Sequence, residues 1–325
     1  MNLNTLKDQL QALQTHAAWI SVEGGHLTVK GPEAAAYLHR MLSNEVKGLP
    51  VGQGNYQGLL DRKAMVLSLF YLIRRGPEDF LILTPPQLRE KTKTLLLKMK
   101  FIEKVTIEDV SETTGHMVIA GPQASKSKEH FQSGTHFTVW NEDVFSVPVW
   151  NVFGPRAAVE ALGGTLSDQL AFPKMDPPAL RLLHRLSGFP EYGTDLDESH
   201  ILLEAGLSYT QVRNKGCYPG QEVVERILTY GKGRTPKRLT RLSVAGEISM
   251  NKGTEIWTPE NKKVGTVTSA LFDPLKQRTI VLGYLEQKYV QPETALQEAR
   301  WENGKLFIPL LPESSSPASD EKPSL

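Results

Sequence analysis

The chain has 325 residues, of which 40% are hydrophobic and 22% charged, so it is long enough for two or three packed domains. Its formal net charge of +1 argues against an overall electrostatic attraction to nucleic acids or membranes. The single cysteine excludes an intramolecular disulfide and fits a reducing compartment, and the eight histidines lack the paired spacing of zinc sites. We therefore expect a soluble, cytoplasmic protein without a metal.

The N-terminal segment, from Met1 to Ala18, predicts an amphipathic surface helix because its leucines recur at helical spacing. It does not have the apolar core of a signal peptide. The longest apolar stretch, from Met65 to Ile73, is far too short to span a membrane. No membrane association is expected.

The first two thirds of the chain predict an α+β region. Strands are predicted at residues 27–29, 65–74, 80–84, 105–110 and 117–120. Helices are predicted at residues 33–42, 85–100, 177–187 and 219–229. Each of them begins at a proline or directly after one.

A weak internal repeat runs through this region. Residues 27–34 resemble residues 117–124, and residues 151–157 form a looser third copy. In each copy a strand turns at a Gly-Pro pair into a helix. Gly-Pro is a common strand-to-helix turn, so the pattern is compatible with coincidence and with two pseudo-related subdomains.

The last third of the chain has a different pattern of predicted secondary structure. Short strands are predicted at residues 239–244, 254–257, 263–268, 279–285 and 306–309, and no clear helix intervenes. This spacing predicts a small antiparallel β-barrel. We therefore divide the chain into an α+β region at residues 1–236, a barrel at residues 237–311 and a disordered tail at residues 312–325.

The most informative segment is residues 215–222, with the sequence Lys-Gly-Cys-Tyr-Pro-Gly-Gln-Glu. Cys217 comes just before a predicted helix start and two residues after Lys215, and both features favour a reactive thiolate. The alternative is that Cys217 has a purely structural role, buried in a tight turn. The candidate catalytic residues are Cys217 and Lys215, and the other motif residues are Gly216, Tyr218, Gly220, Gln221 and Glu222.

This segment resembles the K-G-C-[YF]-x-G-Q-E signature of the YgfZ family, which is related to the T protein of the glycine cleavage system, an aminomethyltransferase. Similar runs lie at residues 27–58, 189–195, 203–207, 264–270 and 282–285. The resemblance implies T-protein-like α+β domains around a central cavity, plus a barrel. It implies tetrahydrofolate or a derivative as the cofactor, with the Cys217 thiol facing the cavity.

The same resemblance implies a function. A YgfZ-type protein would support the assembly or maintenance of iron–sulfur enzymes, including radical enzymes that thiolate tRNA. Its partners would be folate and iron–sulfur proteins or their assembly machinery.

Four residues are expected to contact the folate. Tyr56 matches a tyrosine near the T-protein folate site and could stack on a pterin ring, although it also suits an ordinary core. Glu204 lies in one of the similar runs. Arg226 and Arg238 belong to a basic run that is either a solvated loop or a contact for an anion, such as the glutamate tail of folate or an RNA backbone.

Three departures from the T protein affect these expectations. Thr92 falls where the T protein carries an essential aspartate, and a threonine cannot act as a carboxylate acid or base. Leu186 replaces a glutamate that helps to hold the pterin, and Ala64 replaces a glycine in a turn. Aminomethyl transfer is therefore not expected. A folate-dependent one-carbon (aminomethyl) transferase and a binding module with a structural cysteine motif remain the alternatives.

Overall fold

The computed structural model describes residues 5–131, 137–142, 145–290 and 296–309, so the predicted tail lies outside the described residues. The helices are α1 (Leu6–Thr15), α2 (Ala34–Met41), α3 (Arg89–Lys98), α4 (Arg156–Leu170), α5 (Pro177–Ser187) and α6 (Gln221–Thr229). None of these described helices has the length and apolar character that crossing a membrane requires.

A five-stranded antiparallel sheet forms the first layer, in the order β3-β4-β5-β2-β6. Its strands are β2 (Gly25–Lys30), β3 (Gly54–Leu60), β4 (Val66–Gly76), β5 (Asp79–Thr84) and β6 (Thr106–Asp109). Tyr37 of α2 and Leu96 of α3 pack with Leu72 and Phe80 in the cluster on one face. Ile73 and Leu81 pack into a second cluster on the other face. Because both faces of the sheet are buried here, β4 and β5 contain largely continuous runs of apolar residues.

A four-stranded antiparallel sheet forms the second layer, in the order β1-β7-β9-β8. Its strands are β1 (Ala18–Val22), β7 (Thr114–Ala120), β8 (Thr138–Glu142) and β9 (Val149–Pro155). Helix α4 covers one face, where Val159 and Leu166 pack against Trp19.

The first two copies of the internal repeat share a backbone turn. Gly31 after β2 has φ +134° and Gly121 after β7 has φ +125°, and a Cβ on either would lie 2.5 Å or less from a carbonyl oxygen. Both turns therefore need glycine. The third copy differs, because β9 passes through Pro155 directly into α4.

The C-terminal barrel is closed, in the order β10-β13-β12-β11-β15-β14. Its strands are β10 (Lys237–Ala245), β11 (Glu255–Trp257), β12 (Lys263–Asp273), β13 (Arg278–Glu286), β14 (Gln297–Glu302) and β15 (Lys305–Phe307). The barrel prediction is confirmed, but its purely antiparallel pairing is wrong. The β14–β15 hairpin inserts between β11 and β10, so each of its strands runs parallel to its outer neighbour.

Helix α5 joins the second sheet to the barrel. Leu182 and Leu183 pack in one cluster with Ala18 of β1 and Ile280 of β13. The helix begins at Pro177 and ends at the left-handed Gly188, as the sequence predicts.

A buried ion pair reinforces this junction. Arg185, whose side chain is 4% exposed, places Nη1 2.7 Å from the carboxylate of Asp195, which is fully buried. The other oxygen of Asp195 accepts hydrogen bonds of 2.6 Å from Thr268 and Ser269 of β12. The segment that follows α5 is thereby fixed to the barrel.

Candidate functional site

A cavity of about 550 Å³ lies where the two sheets, α5 and the segment after α5 meet. This volume falls in the range of small-molecule binding sites. Residues that line it include His26, Tyr56, Trp140, Glu142, Arg185 and Phe189.

The cavity has an aromatic wall. The Tyr56 ring lies 4.9 Å from the rings of Tyr71 and Phe189. Tyr71 in turn stacks on Trp140 at 5.7 Å, and Trp140 stacks on His116 at 5.5 Å, both with an interplanar angle of 16°. Such flat surfaces suit a planar ring system.

A buried carboxylate lies in this wall. Glu142 accepts hydrogen bonds from the Tyr56 hydroxyl at 2.7 Å, from Asn151 Nδ2 at 2.9 Å and from Trp140 Nε1 at 3.3 Å. Burial raises the pKa of Glu142 and holds the pKa of Tyr56 well above its ordinary value. The three donors fix the carboxylate as an acceptor that faces the cavity.

Three cavity histidines are neutral at pH 7. Burial lowers the pKa of His26, His116 and His184 to about 4 in each case. Two arginines from α5 also line the cavity: Arg181, which is exposed, and Arg185, which is held by Asp195. The cavity therefore combines neutral imidazoles, one buried carboxylate and guanidinium groups.

Only one of the four predicted folate contacts lines this cavity, namely Tyr56. Arg226 is exposed on α6, and Arg238 lies on β10 of the barrel. Glu204 accepts a hydrogen bond from Leu239 N through its carbonyl, and its carboxylate lies 4.0 Å from Lys237 Nζ. Most residues that line the cavity are therefore ones that the sequence did not indicate.

The cysteine lies elsewhere. Cys217 is exposed and lines a groove of about 320 Å³, which we call the thiol groove. The groove is lined by Arg40, Met41, Met99, Phe101, Cys217, Tyr218 and Pro219. The expectation that the thiol faces the cavity is wrong, since Cys217 is absent from the described residues that line it. Of the neighbours Cys217 and Tyr218, it is Tyr218 that is buried. Its exposed fraction is 7%, and it packs in a cluster with Leu203.

Lys215 fixes the motif to α2. Its Nζ donates a hydrogen bond of 2.5 Å to the carbonyl of His39, near the C-terminus of α2, where cations and donors are favoured. Nζ also lies 5.0 Å from the centre of the Tyr218 ring, and burial lowers the pKa of Lys215 to about 8. In the structure the Lys215 ammonium group anchors the motif to α2, and its predicted catalytic role stays a prediction.

The helix after the motif begins later than predicted. Gly220 is the N-cap of α6, so Pro219 precedes the helix, whereas Glu222 lies in the first turn as expected. Gly220 has φ +82°, and a Cβ there would lie 2.6 Å from the carbonyl oxygen of Asp61 and 2.8 Å from Cα of Ala64. The glycine permits close contact with a turn of the same chain, in which Ala64 itself has φ 64°.

Two of the three departures from the T protein, Thr92 and Leu186, also lie away from the cavity wall. Thr92 is fully buried, with its hydroxyl 2.7 Å from that of Ser68. Leu186 packs against the apolar cluster between α5 and the barrel, and its carbonyl accepts a hydrogen bond from Arg241. The buried carboxylate in the cavity comes from Glu142, on strand β8, which the sequence reading did not predict.

Family models match both parts of the chain. The GCVT N-terminal domain matches residues 4–147, and the glycine cleavage T-protein C-terminal barrel domain matches residues 237–303. The first match lies in the α+β region and the second on the barrel. The T-protein-like α+β fold class with a C-terminal barrel is therefore confirmed, while the YgfZ assignment stays a prediction.

Whole-chain comparisons agree with this T-protein architecture. An aminomethyltransferase of Thermotoga petrophila is 26% identical over 310 residues, covering 88% of this chain and 82% of that protein. One from Bacillus cytotoxicus is 22% identical and covers 91% and 86%. The crystal structure of glycine cleavage system aminomethyltransferase T from Bartonella henselae superposes with a TM-score of 0.78 at 17% identity, over 93% of this chain and 86% of that one.

Proposed function

We propose that this chain binds a tetrahydrofolate-type ligand in the central cavity. The observation that carries the proposal is the aromatic wall around Tyr56 with the fixed carboxylate of Glu142, inside a T-protein fold. A pterin ring is planar and has amino and N–H groups at one edge, so it matches both features. Tetrahydrofolate would supply the acceptor for a one-carbon unit.

Each part of such a ligand finds a residue of suitable chemistry. Tyr56 and Phe189 offer faces for the ring, and Glu142 offers an acceptor for ring N–H groups. Arg181, which is exposed and lines the same cavity, offers a cation for the glutamate tail. Arg226 and Arg238, which the sequence suggested for the tail, are not needed for this.

Calorimetric titration with tetrahydrofolate under anaerobic conditions tests the proposal. We expect saturable binding to the wild type and weaker binding to Glu142→Ala by roughly 10-fold or more, because the substitution removes an acceptor for the ligand and strips three donors of their partner. Cys217→Ala is the matched control, since its thiol lies in the thiol groove. A wild-type protein that binds no tetrahydrofolate would contradict the proposal.

The first candidate activity is aminomethyl transfer, the activity named for the relatives. Thr92 offers no carboxylate, so proton transfer in the cavity would fall to Glu142, whose pKa is raised by burial. The assay is release of ammonia from an aminomethylated lipoyl carrier in the presence of tetrahydrofolate. Activity in the wild type that Glu142→Gln abolishes supports this candidate, and a pure protein without activity contradicts it.

The second candidate is support of iron–sulfur enzymes through Cys217. It is favoured by the exposure of the thiol in a groove with apolar Met99 and Phe101. Cys217→Ala and Cys217→Ser would be introduced into cells that lack the native protein, and the activity of a tRNA-thiolating iron–sulfur enzyme measured. Full rescue by both variants would remove the thiol from the function.

A further inference from the structure

Among the described residues, a buried imidazole nitrogen in the cavity wall has no hydrogen-bond partner. His26 lies on β2, is 3% exposed and lines the cavity, and its Nε2 finds no partner among the described residues. Buried polar atoms are almost always paired, so an unpaired one in the wall of a cavity indicates a missing partner. Gly24 also lines the cavity beside this atom, and a Cβ on Gly24 would lie 3.4 Å from Nε2.

The hydrogen bonds around His26 determine which of its nitrogens carries the proton. The Thr114 hydroxyl lies 2.7 Å from the carbonyl of Val110, to which it can only donate. Its oxygen is also 2.8 Å from Nδ1 of His26, so Nδ1 must donate to it. Since burial lowers the pKa of His26 to about 4, the ring is neutral and Nε2 carries no proton. The atom is therefore a hydrogen-bond acceptor.

The neighbouring histidine is arranged by the same logic. Asn151 donates through Nδ2 to Glu142, so its amide oxygen accepts from Nε2 of His116 at 2.9 Å. Nδ1 of the neutral His116 is then unprotonated as well. The two imidazole rings lie 6.5 Å apart, and with Glu142 they make a wall of acceptors.

We propose that His26 is a ligand-recognition residue whose unprotonated Nε2 accepts a hydrogen bond from an N–H or O–H group of a planar heteroaromatic ligand. The inference rests on the proposed function in taking that ligand to be a pterin-type ring. It adds that the ring enters with its donor edge toward His26, His116 and Glu142. Ligands that present acceptors at this edge are rejected, because two facing acceptors repel each other and leave both unpaired.

The test titrates wild type and variants with two probes, tetrahydrofolate and 6-hydroxymethylpterin, which is the ring without its tail. We expect His26→Phe to weaken binding of both probes on the order of 10-fold or more, since it leaves a ligand donor unpaired. His26→Gln, whose amide oxygen can accept, should restore part of the affinity. Gly24→Ala narrows the space in front of Nε2 and should weaken binding without altering the imidazole. His130→Phe, outside the cavity lining, is the control.

The nitrogen chemical shifts of ¹⁵N-histidine-labelled protein give an independent readout. They should show His26 protonated at Nδ1 and unprotonated at Nε2, with the Nε2 signal moving on addition of 6-hydroxymethylpterin. The opposite tautomer, or unchanged affinity in His26→Phe, overturns the inference and leaves folate binding intact. A wild type that binds the ring but not tetrahydrofolate overturns the proposed function alone. Binding of neither probe overturns both.

Discussion

The central cavity and the thiol groove differ in how they are built. The cavity is walled by both sheets, α5 and the segment after it, and its polar groups are fixed by buried hydrogen bonds. The thiol groove is smaller, and its cysteine and the nearby Phe101 ring are exposed. The densest sequence motif thus marks a surface of the molecule, while the preorganised site comes from residues scattered along the chain.

The largest expected effect is on the support of the cavity. Asp195→Ala should lower the free energy of unfolding by about 3–5 kcal/mol, because it leaves the guanidinium of Arg185 buried, with the exposed Glu191 as its remaining ionic partner among the described residues. Urea unfolding measures this change. Arg213→Ala, which breaks the exposed pair with Glu225, is the control and should barely move the urea midpoint. Equal effects of the two variants would mean that the cavity lacks this buried support.

Acid should affect the cavity next most strongly. His26, His116 and His184 have pKa values of about 4 in the folded protein, below the ordinary value of 6.5, so the unfolded chain binds more protons between these two values. This contribution to stability should therefore be complete above pH 6.5 and be lost progressively as the pH falls toward 4. Thermal unfolding of the wild type and of His116→Phe across this range measures the effect.

In that experiment the variant should lose less stability than the wild type on acidification, since it has one fewer histidine to protonate. Parallel curves for the two proteins would show that His116 is not held neutral by the fold.

Two glycines of the cysteine motif should respond unequally. In Gly216→Ala the new Cβ would have no other atom within 4 Å. The loss in the free energy of unfolding should come only from the backbone φ of +102°, which costs roughly 1–2 kcal/mol with an L side chain. Gly220→Ala adds a contact of 2.6 Å with the carbonyl of Asp61 and should be clearly more destabilising. Chemical denaturation of both variants gives the comparison. If Gly216→Ala proved the worse of the two, the packing of the motif on the Asp61 turn would be unimportant.

The smallest effect on stability is expected at the thiol. Cys217 is exposed, so iodoacetamide should label it in the folded protein, and labelling should leave the thermal midpoint unchanged. Saturation with tetrahydrofolate should not protect it, because the thiol lies outside the cavity. Mass spectrometry of the labelled peptide follows the rate. Strong protection by the ligand would connect the two regions after all.

Local signals in the sequence predicted much of the fold. Pro177 and Gly188 predict the two ends of helix α5, and the structure has the helix between them. Short strands with turns between them predict the barrel, but the pattern does not reveal β14 because much of that strand is polar and exposed. Its parallel neighbours depend on where the last hairpin inserts, which no local pattern encodes.

The candidate site was harder to predict from sequence. Tyr56 could be found through the resemblance, whereas Glu142 becomes a cavity residue only through the pairing of β8 with β9. The outward direction of Cys217 follows from the positive φ of Gly216 and Gly220 and from the inward packing of Tyr218. A sequence motif identifies such glycines but does not show which way they turn the chain.

The contact of Asp195 with Thr268 and Ser269 bears on how modular this molecule is. Residue 237 is a natural domain boundary along the sequence. Truncation there would remove the two hydroxyl donors of the buried Asp195 carboxylate, and it would expose the apolar side of α5 that covers Ile280. The barrel is therefore an integral part of the folded structure. Neither the α+β region nor the barrel, studied alone, would represent the intact protein.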